Sequence, residues 1–321
     1  MAGLKIVMLG TGDFAVPSFA ALYQTGHRVL ALYTQPDRMR TGKEVHRNRM
    51  KEVALEHGTP VFQPEKINTP EALDELAGLR ADVFLVAAYG QILSRQFLAL
   101  PPLGSFNIHA SLLPKYRGAA PINYAILNGE TETGVSLIEI VPQLDAGPVV
   151  GVVRTSILPT QTAGELEEHL AELAAPLTVE FLDQLERGTV QRVTQDPERV
   201  TLAPKMAKEF GLVPWHKRAE EIDWHVRAMQ PWPNPFTYLH QAGRAPRRLV
   251  IRRVTPAMLA SPPQPPGTVL IADKDQLVLQ SGSTPVSIVL IQPEGKMPMS
   301  AAEFLRGNRL VPGDRFGAEH P

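Results

Sequence analysis

The 321-residue sequence predicts an α/β protein, with a mainly parallel sheet covered by helices on both faces and then a small β-barrel. Apolar strand patterns alternate with helical patterns through the first half. Short strand patterns separated by Pro-rich or Gly-rich turns recur in the second half. The length suits about two domains, and a composition that is 44% hydrophobic and 20% charged is typical of folded proteins.

Several protein classes are excluded or disfavoured by composition. The absence of cysteine excludes disulfides, thiolate catalysis and cysteine-ligated zinc. The N-terminal run L-K-I-V-M-L-G has no basic region or cleavage site, so it predicts a strand rather than a secretion signal. The longest apolar run, at residues 83–88, falls well short of the ~20 residues that a membrane-spanning helix needs. We therefore expect a cytoplasmic protein.

The first elements form a βαβ unit: a strand at residues 4–9, a helix at 15–25 and a strand at 28–33. The turn G-T-G-D-F-A between strand and helix matches the G-x-G-x-x-A spacing of dinucleotide-binding proteins. The acidic residue expected at the end of the second strand is missing, because Asp37 follows a proline in a loop. The pattern therefore favours a structural turn over NAD binding.

The alternation of strands and helices continues to residue 188. It predicts a Rossmann-like sheet with right-handed crossovers, whose ligands bind beyond the carboxyl ends of the strands. The predicted elements are strands at 60–62, 81–88, 134–141 and 149–156, a short strand through Asn107 and His109, and helices at 70–79 (capped by Thr69), 119–127 and 162–187.

The side chains best suited to catalysis are concentrated at residues 105–121. Asn107 and His109 are two positions apart on a strand, so both side chains point to the same face. An amide and an imidazole at the end of a buried strand suit the stabilisation of an oxyanion and the transfer of a proton. Asp145 lies in the rigid apolar turn P-Q-L-D-A-G-P, which favours a proton acceptor; the alternative is an aspartate that only shapes an Asx turn.

Two basic stretches are candidates for contacts with a phosphate-rich partner. Residues 34–51 form a long loop that runs into a helix, and it is either a solvated surface loop or an arm that binds substrate phosphates. Arginines on and around the strand at 247–254 are either its solvated face or a phosphate-binding surface. Residues 207–321 carry 14 Lys+Arg and 10 Asp+Glu (14 − 10 = +4), against 18 − 23 = −5 for the rest, which is compatible with a polyanionic partner.

The second half predicts a barrel of the oligonucleotide-binding (OB) type. Five short strands are expected at 236–240, 247–254, 267–271, 276–280 and 286–291, with helices at 219–229 and 301–306. The predicted domains are therefore a catalytic domain at 1–188, a linker at 189–206, and an OB-like barrel at 207–321.

With these residues in view, the chain resembles the folate-dependent formyltransferases. The resemblance rests on N-I-H at 107–109, S-L-L-P at 111–114, R-G-A-A-P at 117–121, E-T-G-V at 132–135 and L-D-A-G-P at 144–148. The motifs I-D-W, P-W-P, G-K-M-P-M-S and V-P-G in the second half are similar to the branch that acts on methionyl-tRNA. The resemblance covers nearly the full length, and in this family the glycine turn is structural.

The resemblance implies transfer of a formyl group from 10-formyltetrahydrofolate to the α-amino group of methionyl-initiator tRNA, without a metal. Asn107 and His109 are expected to hold the oxyanion, and His109 to protonate the leaving N10. Asp145 is expected to orient His109 and to accept the proton of the amine. The expected folate contacts are Val86, Tyr89, Gly90, Ser111, Leu112, Leu113, Pro114 and Leu144. The expected tRNA contacts are Arg38, Arg40, Lys43, Arg247, Arg248 and Arg252.

Two alternatives remain open. One is a formyltransferase that acts on a small amine, such as a nucleotide precursor or an amino sugar; the basic barrel argues against it. The other is a catalytically inactive RNA-binding protein; the intact Asn107, His109 and Asp145 argue against that. We expect a monomer that binds tRNA and the folate and does not associate with membranes.

Overall fold

The computed structural model describes residues 3–37, 48–259 and 264–319. The predicted tRNA contacts Arg38, Arg40 and Lys43 lie outside the described residues. The chain forms two compact units. The first contains the described residues up to Pro121, then Glu132–Ser156 and Glu167–Ala203. The second contains Ile122–Thr131, Ile157–Leu166 and the described residues from Pro204 onward.

Strands and helices alternate along the first part of the chain, as predicted. The strands are β1 (Lys5–Gly10), β2 (Arg28–Tyr33), β3 (Val61–Phe62), β4 (Val83–Ala87), β5 (Ser105–His109), β6 (Arg117–Gly118), β7 (Glu132–Glu139), β8 (Val149–Ser156) and β9 (Leu202–Ala203). The α-helices are α1 (Val16–Leu22), α2 (Arg49–Glu56), α3 (Pro70–Gly78), α4 (Arg95–Leu98), α5 (Pro121–Leu127) and α6 (Ala163–Arg187).

A seven-stranded sheet organises the first unit, in the order β3-β2-β1-β4-β5-β7-β8. The first five of these strands are parallel, and β7 alone runs in the opposite direction, pairing antiparallel with β5 and with β8, which confirms the mainly parallel sheet. The central strand β4 is buried at every position, which explains its continuous apolar run. The carboxyl ends of β1, β4 and β5 therefore lie along one edge of the sheet.

The predicted glycine turn follows β1. Gly12 has φ +90°, a conformation that favours glycine, and a short 3-10 helix at Asp13–Ala15 precedes α1. The predicted cap of α3 is present, since the Thr69 hydroxyl accepts from the backbone N–H of Ala72.

Residues 189–203, most of the segment 189–206 that was expected to be a linker, are grouped with the first unit. Val193 and Val149 exchange two backbone hydrogen bonds of 2.8 Å. Strand β9 pairs in parallel with β6. The segment has no hydrophobic periodicity because it is held by backbone pairing and single side chains rather than by an apolar face.

The second unit contains an antiparallel sheet in the order β12-β13-β14-β11-β10-β16, with β15 beside β14. Residues 267–269 of one edge exchange backbone hydrogen bonds of 2.8–3.0 Å with residues 313–316 of the other, so the barrel is nearly closed. The strands are β10 (Phe236–His240), β11 (Arg247–Pro256), β12 (Val269–Asp273), β13 (Gln276–Leu279), β14 (Val286–Pro293), β15 (Met299–Ser300) and β16 (Arg315–Gly317), and the helices are α7 (Ala219–Ala228) and α8 (Ala301–Gly307).

The barrel has its own apolar core, which includes Trp215, Ile251, Phe304 and Phe316. The indole N–H of Trp215 donates to the Thr237 hydroxyl at 3.0 Å, so its polar atom is satisfied. Over the described ranges, no helix has both the length and the apolar character needed to cross a membrane.

Candidate active site

Asn107 and His109 lie on β5, at the edge of the sheet where ligands are expected. Asn107 pairs with Val86 of β4 on one side and with Ile138 of β7 on the other. Asn107 is half-buried and His109 is 5% exposed. The two-residue spacing on a strand therefore brings both polar groups to one place, as predicted.

The His109 ring is fixed by the corner that follows β5. Its Nε2 lies 2.9 Å from the carbonyl oxygen of Tyr116. A carbonyl only accepts, so Nε2 carries the hydrogen and donates it. Tyr116 holds its carbonyl there with φ +62°, an uncommon conformation for a residue other than glycine. The nitrogen left for proton exchange is Nδ1, which lies 3.7 Å from the Asp145 Oδ2.

The Asp145 carboxylate is held by residues far away in the sequence. The backbone N–H of Gly118 donates to Oδ2 at 2.8 Å, and the Asn107 Nδ2 donates to Oδ1 at 3.4 Å. The side chain is 12% exposed. These bonds run to residues 27 and 38 positions away, rather than to the neighbouring backbone as in an Asx turn.

The S-L-L-P corner is held by buried hydroxyls. Ser111 is fully buried and donates its hydroxyl to the Lys115 carbonyl at 2.7 Å. The Ser136 hydroxyl donates to the Ser111 carbonyl at 2.7 Å and accepts from the backbone N–H of Leu113 at 3.1 Å. Ser111 therefore shapes the corner, and the half-buried residues at its surface are Leu112, Leu113 and Pro114.

The other predicted folate contacts differ in exposure. Val86 is 6% exposed near the end of β4, whereas Leu144 beside the carboxylate is 64% exposed and Gly90 is exposed. The Tyr89 ring is buried in the apolar core of the first unit, and burial raises the pKa of its hydroxyl to about 12. The backbone carbonyl of Tyr89 accepts from the Gln35 Nε2 at 2.9 Å. The Tyr89 side chain therefore serves packing.

Sequence reasoning missed Gln195, and it noted Arg117 only as part of the R-G-A-A-P motif. The Gln195 Nε2 donates to the carbonyls of Asp145 and Gly147, both at 2.7 Å. Its Oε1 accepts from the Arg117 Nε at 3.2 Å and Nη2 at 2.8 Å. A single glutamine in a polar stretch carries no pattern by which it could have been found.

Two glycines beside the site allow close backbone approach. A Cβ on Gly118, whose φ is +125°, would lie 2.6 Å from the Ala203 carbonyl oxygen. A Cβ on Gly147 would lie 1.7 Å from the Glu139 carbonyl oxygen. The R-G and D-A-G motifs therefore need glycine for steric reasons.

The barrel arginines present unneutralised charge on β11. The guanidinium of Arg248 lies 4.5 Å from the centre of the Phe236 ring. Arg252 donates to the Asn234 Oδ1 at 2.6 Å and to the Gln292 Oε1 at 2.7 and 2.9 Å, and burial lowers its pKa. Arg247 is exposed. Within the described ranges, none of these three arginines forms an ion pair with a carboxylate.

The described residues contain no group of three or more histidine, aspartate or glutamate side chains that could hold a metal ion.

Both halves of the chain match known protein families. The Formyl transferase family matches residues 4–182, and the family described as Formyl transferase, C-terminal domain, matches residues 205–309. The methionyl-tRNA formyltransferase of Geobacter metallireducens is 40% identical over 318 residues, covering 99% of this chain and 100% of that protein. That of Methylococcus capsulatus is 41% identical over 315 residues, covering 98% and 100%.

Solved structures share the fold at low identity. An N-formyltransferase from Helicobacter canadensis, in complex with folinic acid and dTDP-3-aminofucose, aligns with a TM-score of 0.63 at 17% identity and covers 90% of this chain and 99% of its own. HypX from Aquifex aeolicus, in complex with tetrahydrofolic acid, aligns with a TM-score of 0.59 at 16% identity, over 95% of this chain and 47% of its own.

Proposed function

The chain belongs to the methionyl-tRNA formyltransferase family, and from this premise we propose that Asn107, His109 and Asp145 form its catalytic centre. The enzyme transfers the formyl group of 10-formyltetrahydrofolate to the α-amino group of methionyl-initiator tRNA, giving N-formylmethionyl-tRNA for translation initiation. Neither a small-amine acceptor nor an inactive RNA-binding protein is favoured by relatives that match over the whole chain.

The oxyanion is held by Asn107. When the amine nitrogen attacks the formyl carbon, the carbonyl oxygen becomes an oxyanion and needs a donor aimed at it. An amide carries two N–H hydrogens, and Asp145 accepts only one of those on Asn107, at 3.4 Å. The second is free for the oxyanion.

The proton follows a path through Asp145 and His109. Asp145 accepts the proton that the attacking amine loses and passes it to the Nδ1 of His109, 3.7 Å away. Nδ1 then gives this proton to N10 as the bond between N10 and the formyl carbon breaks, since Nε2 is committed to the Tyr116 carbonyl. One proton leaves the amine and one reaches N10, so both side chains end the cycle as they began it. The observation that carries the proposal is the convergence of the Asn107 amide and the His109 Nδ1 on one carboxylate.

The two substrates bind on different surfaces. We assign the folate to residues 86–90, the surface of the 112–114 corner and Leu144, whose exposed apolar side chain suits a ring system. We assign tRNA to Arg247, Arg248 and Arg252, together with the predicted Arg38, Arg40 and Lys43. The first unit then acts as the catalytic domain and the barrel as the tRNA-binding domain. One copy supplies both, which supports a monomer, and the role in translation supports a cytoplasmic location.

A formyl-transfer assay tests the proposed function. It supplies labelled 10-formyltetrahydrofolate and measures transfer of the label to charged initiator tRNA, uncharged tRNA, methionine amide and an amino-sugar nucleotide. We expect formyl transfer to methionyl-tRNA alone. Transfer only to the small amines would refute the assigned acceptor, and binding without transfer would support an inactive RNA-binding protein. Asp145→Asn should lower turnover by roughly 10²-fold or more, while Asp74→Asn, at an exposed site on α3, should not.

A further inference from the structure

Gln195 is a buried amide in an exposed stretch of chain. It is 8% exposed, while residues 191–194 and 196–199 are all exposed. Buried polar side chains are uncommon unless their hydrogen bonds are met, so a specific set of partners must account for this one.

All the hydrogen-bonding capacity of the Gln195 amide is used next to Asp145. Its two N–H groups go to the carbonyls of Asp145 and Gly147, both at 2.7 Å, and its oxygen accepts from Arg117 at 2.8 and 3.2 Å. The orientation of the amide is unambiguous, because carbonyls cannot donate and a guanidinium cannot accept. With the amide oxygen and nitrogen exchanged, none of these hydrogen bonds could form.

The segment that carries Gln195 is itself fixed on both sides. Two residues before it, Val193 pairs with Val149 through two backbone bonds of 2.8 Å. Six residues after it, the Thr201 hydroxyl accepts from the Tyr116 N–H at 2.8 Å, and its carbonyl accepts from the Arg117 N–H at 2.9 Å. The amide is therefore a rigid brace rather than a loose surface group.

The loop that it braces needs support. Asp145 has φ +46°, which is costly for a residue other than glycine and persists only when its surroundings hold it. The bonds to the carbonyls of Asp145 and Gly147 fix the Asp145–Ala146 and Gly147–Pro148 peptide groups. Because the Asp145 carboxylate must meet Asn107, His109 and Gly118 together, its backbone orientation decides whether all three contacts form.

We infer that Gln195 is a positioning residue for the catalytic carboxylate, acting through the Asp145 backbone and tied to Arg117. This inference rests on the proposed role of Asp145. Gln195 lies beyond residues 4–182, which match the Formyl transferase family, so that match does not assign it. It touches neither substrate in the proposed mechanism and sets the geometry of the group that moves the proton.

A double-mutant cycle on kcat tests the inference. Gln195→Met keeps the volume and removes the hydrogen bonds, and we expect kcat to fall roughly 10- to 100-fold, with KM for the folate changed less than about threefold. In the Asp145→Asn background, measured under single-turnover conditions, the same substitution should cost less than about threefold. Gln191→Met, at an exposed position of the same segment, is the matched control and should leave kcat unchanged.

The outcomes separate the inference from the function on which it rests. Wild-type kcat in Gln195→Met, or an equal loss in both backgrounds, would overturn the positioning role and leave the proposed mechanism standing. Near wild-type turnover of Asp145→Asn alone would overturn both. If Gln195→Met does not fold, Gln195→Glu decides: it keeps the Arg117 contact but turns acceptors toward the two carbonyls, and it should show the same loss.

Discussion

Replacing Gly118 with alanine should damage both the fold and catalysis, by amounts that the structure sets. The new Cβ would lie 2.6 Å from the Ala203 carbonyl oxygen, in the middle of the β6–β9 pairing, on a backbone with φ +125°. Holding alanine in that conformation costs about 1–3 kcal/mol, and relieving the overlap costs about 1–3 kcal/mol more. The sum is about 2–6 kcal/mol of unfolding free energy.

Catalysis should fall for a separate reason. The Gly118 N–H donates to the Asp145 Oδ2 at 2.8 Å, and moving β6 away from β9 moves this donor. A hydrogen bond to a charged group contributes about 1.5–3 kcal/mol, so its loss predicts a fall in kcat of about 10- to 150-fold.

The loss of unfolding free energy is measured by thermal denaturation. A domain of ~150–250 residues loses roughly 2–4 °C in Tm per kcal/mol, so the lower end of the expected range, about 2 kcal/mol, predicts a fall in Tm of at least about 4 °C.

Gly58→Ala is the matched control. Gly58 also has a positive φ, +67°, but its Cβ would meet nothing within 4 Å. The Gly58→Ala protein should therefore lose the free energy needed to hold alanine at a positive φ, but it should have no steric overlap and should keep its turnover. A Gly118→Ala protein that melts within about 1 °C of Gly58→Ala and keeps wild-type kcat would refute the reasoning.

Asn107→Ala should lower kcat by about 10²- to 10³-fold with little change in KM for methionyl-tRNA, because it removes the oxyanion donor; steady-state formyl transfer measures this. Burial lowers the pKa of His225 to about 4 from its ordinary 6.5, so between these values the unfolded chain binds a proton that the folded protein does not. Stability should then fall as pH drops below 6.5, by about 2 kcal/mol at pH 5, in urea unfolding. Arg248→Met should weaken tRNA binding and lower the slope of log K against log salt by about 1.

The three tryptophans, at 215, 224 and 232, all lie in the second unit, so their fluorescence follows the barrel that contains His225. His225→Gln should reduce the pH dependence and the exposed His216→Gln should not; equal curves would contradict the assignment. Arg154→Met removes a paired arginine of the first unit and should leave the salt slope unchanged. Unchanged turnover in Asn107→Ala would show that Asn107 does not stabilise the oxyanion.

The parts of this fold that were predictable follow from periodicity. Strand β4 reads as one apolar run because both of its faces are covered, and the period-two geometry of β5 places Asn107 and His109 on one face. The barrel was predicted because its five longer strands are separated by turn residues. Strands β15 and β16 were missed because two or three residues are too few to show alternation.

Other features of the site are set by long-range contacts that leave no local pattern. The positive φ angles of Tyr116 and Asp145 occur in residues other than glycine, so the residue types do not predict these angles. Gln195 lies in a polar stretch whose structure comes from pairing with β6 and Val149. Helical periodicity also cannot tell which core a segment joins, so the assignment of Ile122–Thr131 and Ile157–Leu166 to the second unit was not foreseen.

The brace at Gln195 has a consequence for the timing of synthesis. It joins residues 50 positions apart in the chain. A ribosome that adds about 5–20 residues per second therefore delivers Gln195 roughly 3–10 s after Asp145. A nascent chain stalled within that interval already contains Asn107, His109 and Asp145 but lacks the amide that holds the carboxylate in place. The proposed centre is therefore completed only after α6, the last long helix of the first unit, has been synthesised.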